Sequence, residues 1–514
     1  MSKTIIIIGA GLAGLSAALQ AAENGCNVKL VSSFPSERAQ SVMAEGGINA
    51  ALNTKDENDS PEEHFTDTIK AACGLADPNA VWGMTQAAPE LVHWLLKLGV
   101  QFNMSGYDDV DLRNFGGQKK KRTAFAQSDT GKQIMTAMID AVRRKEASGM
   151  VERFSHHSFL TLRLCDNICC GCVIRDEYSQ ETVELPGDAV IVATGGMHGL
   201  FGNTTGSLSN TGEVTAELFR LGVPLANGEM IQYHPTTVKC GGKRMLISEA
   251  ARGEGGRLFA MKDGKQWYFM EEKYPELGNL MPRDITAREI WKVSRESEVF
   301  LDMTEISDEI ISNKLSGLAD DCMTYLHKDI RKEPVSVLPG IHYFMGGILV
   351  DEQHRTPIQN LYAAGECCAQ YHGANRLGGN SLLGALYGGR VAAKSACEQA
   401  DVVDLSCATQ IDFPPTSQIS EIKQLNKVMQ ETMGVVRNEN TLLNGIQTVQ
   451  ALTGNLPLLG MAVLKSALAR KESRGAHWRE DYPKSNDDDY LKTTVARFDG
   501  KQIQISFVPV PERR

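Results

Sequence analysis

The chain begins with an unbroken apolar run, Thr4-Ile-Ile-Ile-Ile8, that stops at a glycine. Two later stretches repeat the pattern: GDAVIVATGG (187–196) and IQNLYAAGE (358–366). Short apolar runs bounded by glycine predict strands buried on both faces, as in a parallel sheet. Between the first run and a second strand ending near Val31 lies an Ala/Leu-rich segment that predicts a helix. Strand pieces this scattered imply one cofactor-binding α/β domain interrupted by an insertion between about Leu225 and Pro339, which caps the cofactor. Beyond about Asp404 the apolar residues fall at helical spacing, in QISEIKQLNKVMQETMGVV and PLLGMAVLKSALAR, and predict a C-terminal helical domain.

The turn after the first strand reads Gly9-x-Gly11-x-x-Gly14. The first glycine allows the tight turn, the second lets backbone approach a diphosphate, and the third lets the helix pack on the strand. The diphosphate then rests on the helix N-terminus. A carboxylate for the ribose of NAD is expected about 20 residues further on, but the second strand runs into Ser32-Ser33, which weakens a plain NAD reading. Thr194, Gly195, Gly365 and Glu366 stand at the carboxyl ends of the later strands, where such sheets bind ligands.

Composition narrows the partners. The chain has 514 residues, 42% hydrophobic and 23% charged, enough for two to four packed domains. A net charge of −10 argues against nucleic acid or an anionic membrane as the main partner. The run Lys119–Arg122 reads as a solvated loop. No apolar stretch is long enough to span a bilayer and no signal peptide precedes the first strand, so a cytoplasmic protein is expected, membrane-associated only through partner subunits. Twelve cysteines without regular spacing fit reduced thiols. Cys165, Cys169, Cys170 and Cys172 alternate along an apparent strand and read as structural thiols, and no metal site is expected.

The remaining informative stretches set donors among glycines: IQYHPTT (His234), LISEAARGEGG (Ser248, Glu249, Arg252), MPRDITAREI (Arg283), GIHYFMGGI (His342) and YHGANRLGGNSLL (Arg376, Ser381). A small dicarboxylate taken out of water needs charge-assisted hydrogen bonds of this kind. Taken singly, a histidine here reads as a core residue and an arginine as a surface ion pair.

In order along the chain, GAGLAGLSAAL, AEGGINAAL, FGGQ, VIVATGG, IQYHPT, RGEGG, PRDI, HYFMGG, LYAAGE, HGANRLGGNSLL and SRGAHWREDYP resemble the flavoprotein subunits of fumarate reductase and succinate dehydrogenase. The resemblance implies a Rossmann-like FAD-binding domain in two parts (1–225 and 340–404), an α+β capping domain (226–339) and a C-terminal helical domain and tail (405–514). It implies that His234 and Ser248 hold one substrate carboxylate and that His342 and Arg376 hold the other, with Phe115 beside them. Fumarate then becomes succinate by hydride from the flavin N5 and a proton from Arg283, which Glu249 and Arg252 recharge. FAD contacts are implied for Gly9, Gly11, Gly14, Ser32, Gln40, Gly46, Gly47, Thr194, Gly195, Gly365 and Glu366. Ser381, Leu382 and Leu383 would open a helix facing the flavin edge that gains negative charge on reduction.

In the membrane-bound members of that family the RAQSVMAEGGI loop typically carries a histidine bonded to the flavin. Aligned on Arg38 and Gly46-Gly47-Ile48, that position is Gln40, and no His or Cys lies between Phe34 and Ile48. FAD is therefore expected without a covalent link, which tilts the chemistry toward fumarate reduction. L-Aspartate oxidase and reductases of other enoates are the alternatives, and a non-catalytic flavin-binding subunit is a weaker one. Phe115 stands where aspartate oxidases usually carry Glu. The resemblance also implies docking of an iron–sulfur electron-transfer subunit, with Arg474, His477 and Arg479 as interface or site-edge residues or else a structural polar turn.

Overall fold

The computed structural model describes every residue except 1, 208, 402–410, 412, 414 and 416–417. The boundary expected at 404–405 therefore lies outside the described residues.

A five-stranded parallel sheet organises the chain. Its order is Leu361–Ala363, Ala189–Val192, Thr4–Ile8, Asn27–Ser32, Val151–Ser155. The apolar runs read from the sequence are its three central and edge members, and Ile5, Ile6 and Ile7 are fully buried. Two helices pack on one face, Leu12–Glu23 and the long Asn380–Gln399, so that the core beneath the cofactor cleft is mostly alanine and leucine. Small residues matter here. A Cβ on Gly14 would stand 1.8 Å from the Gly9 carbonyl oxygen, and one on Gly9 would stand 2.3 Å from that of Ala193.

The inserted segment builds its own layer. Lys265–Trp267, Arg257–Lys262, Val299–Asp302 and Val335–Ser336 form one sheet, covered by Arg283–Val293 and shorter helices over a separate apolar core. A three-stranded sheet of Lys243–Leu246, Ile231–Cys240 and Leu338–Phe344 joins this layer to the first one.

The C-terminal region holds three helices, Ile419–Thr432, Glu439–Val449 and Asn455–Ala469, packed on Phe201, Phe219 and Phe344. Apart from the single helical turn Asp487–Tyr490, the described tail after them is not helical. Lys492–Phe498 and Ile503–Pro509 form a hairpin whose first strand pairs with Leu225–Ala226. Only the second strand, IQISFVP, alternates apolar and polar residues, and Gly500 turns between the two at φ +87°.

Between helices and hairpin, Arg470, Arg474, His477 and Arg479 are buried. Arg470 pairs with Glu229 at 2.7 Å and with Glu472 at 2.8 Å, and Arg479 pairs with Asp481 at 2.6 Å. Arg474, His477 and Arg479 thus form an internal polar turn, not an exposed interface. Arg122 also departs from the expected solvated loop: it is fully buried, 2.8 Å from Asp59 and 3.0 Å from Asp67. No group of metal-ligating side chains occurs among the described residues. Cys169 and Cys172 share one apolar core because Gly171, at φ +136°, breaks the alternation between them.

Candidate functional site

A cavity of about 480 Å³ runs along the carboxyl edge of the parallel sheet. It starts between Ser32, Ser33 and His157–Phe159, passes Gly9 and Gly11, and continues by Gln40, Gly46 and Gly47. It ends among Phe115, His234, Ser248, Glu249, Arg283, His342 and Arg376. Thr194, Gly195, Gly365, Glu366, Ser381 and Leu382 line it as well. Three expected residues do not. Gly14 lies beneath, where the helix meets the strand; Leu383 is fully buried in the core; and Arg252 stands behind Glu249.

Two helix N-termini open into this cavity; glycine at each N-cap position offers no capping side chain, and among the described residues only Leu12 N–H finds one elsewhere, Ser41 Oγ at 3.3 Å. Uncapped N–H groups and the helix dipole favour an anion. One end suits a diphosphate and the other suits a ring that becomes negative on reduction. Gln40 is anchored as an acceptor, its Oε1 taking the Ser207 backbone N–H. The cradle fits FAD: a narrow glycine-lined channel, serines in place of a ribose carboxylate, and an elongated cleft.

The far end is built around one ion pair. Glu249 Oε2 accepts from Arg283 Nε at 2.7 Å and from Nη2 at 2.6 Å. Its Oε1 accepts the Gly116 N–H at 3.0 Å and lies 3.6 Å from Arg252 Nη2. Burial opposes ionisation of Glu249, yet Arg283 and Arg252 together hold its carboxyl below the usual range. Arg252 donates to the Asn279 carbonyl at 2.6 Å, while its Nε has no partner among the described residues.

Gln232 ties the two sides of the cavity together. Its Oε1 accepts from Arg283 Nη1 at 3.1 Å, and its Nε2 donates to Asn375 Oδ1 at 2.8 Å and to the Arg376 carbonyl at 2.9 Å. Arg376 lies over the Tyr343 ring at 4.3 Å, with Nε unpartnered among the described residues. Burial, reinforced by Arg283, pushes its guanidinium down to about 9.

His234 and His342 face each other, ring centroids 5.1 Å apart. His234 Nδ1 rests on the Thr236 backbone at 3.1 Å, and its buried Nε2 has no partner among the described residues. His342 Nδ1 lies 2.9 Å from Thr205 Oγ1. Burial, then the nearby guanidiniums, keeps both imidazoles well below their ordinary pKa and hence neutral. Three guanidiniums against one contacting carboxylate leave positive charge uncompensated, and the free imidazole nitrogen points into the same space. Such a site is set to receive a small polyanion.

Sequence reasoning passed over three features here. Gln232 stands in the quoted IQYHPTT stretch but attracted no role. Glu45 lines the cavity with Oε2 unpartnered among the described residues, and burial, reinforced by Asp321, pushes its carboxyl up to about 8. Behind the glycines, Asn49 Nδ2 donates to the Gly378 carbonyl and to Asn380 Oδ1, each at 2.7 Å, and His64 lies 2.9 Å from that same Asn380 oxygen. Only distant packing reveals that network.

Fold and cleft together define an FAD-dependent oxidoreductase. The FAD binding domain family matches residues 4–382, and the fumarate reductase flavoprotein C-terminal family matches residues 452–513. The chain is 38% identical to the succinate dehydrogenase flavoprotein subunit of Bacillus subtilis, covering 100% of this chain and 98% of that one. It is 32% identical to the 8-methylmenaquinol:fumarate reductase flavoprotein subunit of Wolinella succinogenes, covering 100% and 92%. Among solved structures, an E. coli quinol fumarate reductase chain superimposes with a TM-score of 0.90 at 27% identity over 99% and 97% of the two chains. The chain belongs to the family of succinate dehydrogenase and fumarate reductase flavoprotein subunits.

Proposed function

We propose that this protein reduces fumarate to succinate with FAD held non-covalently. The observation that supports this most is the cluster of Arg283, Arg252 and Arg376 around a single contacting carboxylate, with two neutral histidines, in the same cleft as the flavin cradle. His234 and Ser248 take one carboxylate of the dianion; His342 and Arg376 take the other. Bound reduced FAD supplies the hydride.

Arg283 donates the proton. A free guanidinium is a poor acid, but charge developing on the alkene carbon in a dry pocket is stabilised and protonated by a cation aimed at it. Glu249, touching both Arg283 and Arg252, is placed to return the proton. Gln232 and Glu249 hold the guanidinium from two sides, so it enters the reaction already oriented. Phe115, 2% exposed, offers an apolar wall with nothing for a substrate ammonium, which disfavours L-aspartate.

The relatives are named as flavoprotein subunits. We extend to this chain docking with an iron–sulfur electron-transfer subunit, and membrane association through such partners; no described helix is long and apolar enough to cross a membrane. The test is a paired assay of the purified holoprotein: fumarate reduction by reduced viologen against L-aspartate oxidation. Turnover with fumarate is expected. Turnover with aspartate alone would overturn the proposal.

A further inference from the structure

Far from the substrate pocket, two cysteines sit in contact at the ends of the two helices that open into the cleft. Cys26 follows the helix Leu12–Glu23, and its Sγ donates to the Cys397 Sγ at 2.9 Å. Cys397 lies two residues from the end of Asn380–Gln399. Two thiol sulfurs in ordinary contact stand further apart than this, and a disulfide needs about 2.05 Å. The two sulfurs are thus less than about 1 Å further apart than a bonded pair.

The surroundings are already fixed. Ser16 Oγ donates to the Leu386 carbonyl at 2.7 Å midway along the helix pair, and Lys3 Nζ donates to the Cys397 carbonyl at 2.7 Å. A Cβ on Gly389 would stand 2.3 Å from the Ala13 carbonyl oxygen, so the two helices are in backbone contact. Cys26 is 5% exposed and Cys397 is half-buried, so a reagent reaches Cys397 first. Burial and the contact with Cys26 push the Cys397 thiol well above the ordinary cysteine range, so exchange there is slow and needs alkaline conditions.

We propose that Cys26 and Cys397 form a reversible disulfide with low-molecular-weight disulfides such as oxidised glutathione, clamping the two cofactor-facing helices together at their far ends. The chemistry balances. The Cys397 thiolate attacks glutathione disulfide and expels one glutathione thiolate, giving a mixed disulfide. The Cys26 thiolate then attacks the Cys397 sulfur and expels the second. Each protein sulfur loses one electron, the glutathione disulfide gains two, and the two cysteine protons end on two glutathiones. With the helices linked, opening of the cleft between their N-termini is suppressed and FAD leaves more slowly. The inference needs only FAD binding and stands apart from the choice of substrate.

The holoprotein is incubated in mildly alkaline oxidised or reduced glutathione, quenched with N-ethylmaleimide, digested and mapped by mass spectrometry. In the oxidised sample the peptides of Cys26 and Cys397 should appear joined and two hydrogens lighter than their sum. Cys26→Ser should instead hold glutathione on Cys397, and Cys397→Ser should leave Cys26 unmodified. FAD release on dilution should be roughly three-fold or more slower in the oxidised protein and unchanged by oxidation in Cys397→Ser. Alkylation of both cysteines after oxidation would overturn the pairing. Equal FAD release from linked and unlinked protein would overturn the clamp.

Discussion

Glu249→Gln separates proton delivery from substrate binding. The substitution keeps the side-chain volume and an oxygen for the Gly116 N–H, and removes one negative charge from between Arg283, 2.6 Å away, and Arg252, 3.6 Å away. At an effective dielectric constant of ~20 these contacts correspond to gross attractions of about 6 and about 5 kcal/mol. Most of that offsets the desolvation of the buried ions, so the net loss of folding stability is about 3–5 kcal/mol. It would be read as a lower urea midpoint at constant slope. Catalytically the two effects oppose each other. The pocket becomes one charge more positive, so KM for fumarate should hold or fall. The proton donor loses its anchor and its resupply, so kcat should fall by about 10²–10⁴-fold. Viologen-linked assays on protein with full FAD content measure both constants. A kcat within about three-fold of the unaltered protein, with FAD intact, would show that Glu249 is only structural.

Acid precipitation should release all the yellow chromophore into the supernatant, since Gln40 offers no ring nitrogen to the flavin; colour retained by the pellet would show a covalent link elsewhere. Glu45→Gln should stabilise the cofactor-free protein in a pH-dependent way. Because burial raises its folded-state pKa from 4.5 to about 8, ionisation costs stability progressively as pH rises through that window, by about 1.4 kcal/mol per unit. The variant's advantage in urea unfolding should be greatest near pH 8, up to roughly 5 kcal/mol, and absent below pH ~4.5. An equal advantage at both ends would mean that Glu45 is not buried in the free protein.

Local patterns carried the parallel strands, the glycine turn, the interrupted domain and the presence of donors among glycines, because each depends on residues close together in the chain. The apolar run Thr4–Ile8 can satisfy its side chains only when both faces are covered, and Gly9 and Gly14 are confined by atoms one turn away or on the adjoining strand. Long-range partners were a different matter. Arg122 looked solvated until Asp59 and Asp67 enclosed it, and Arg474, His477 and Arg479 read equally as an interface or a polar turn until Cys73, whose carbonyl accepts from Arg474, and Arg437, 2.8 Å from His477, were packed against them. The C-terminal hairpin was hidden because its pairing partner, Leu225–Ala226, lies some two hundred and seventy residues earlier.

The sequence by itself determined which side chains could serve chemistry here. Only the tertiary structure decided that Gln232 joins Arg283 to Arg376, that Glu249 is shared between two guanidiniums, and that burial keeps two histidines neutral and Glu45 protonated near neutrality. The reason is physical. Charge state and hydrogen-bond direction depend on desolvation and on groups a few ångströms away, and those distances exist only once strands and helices far apart in the chain have packed together.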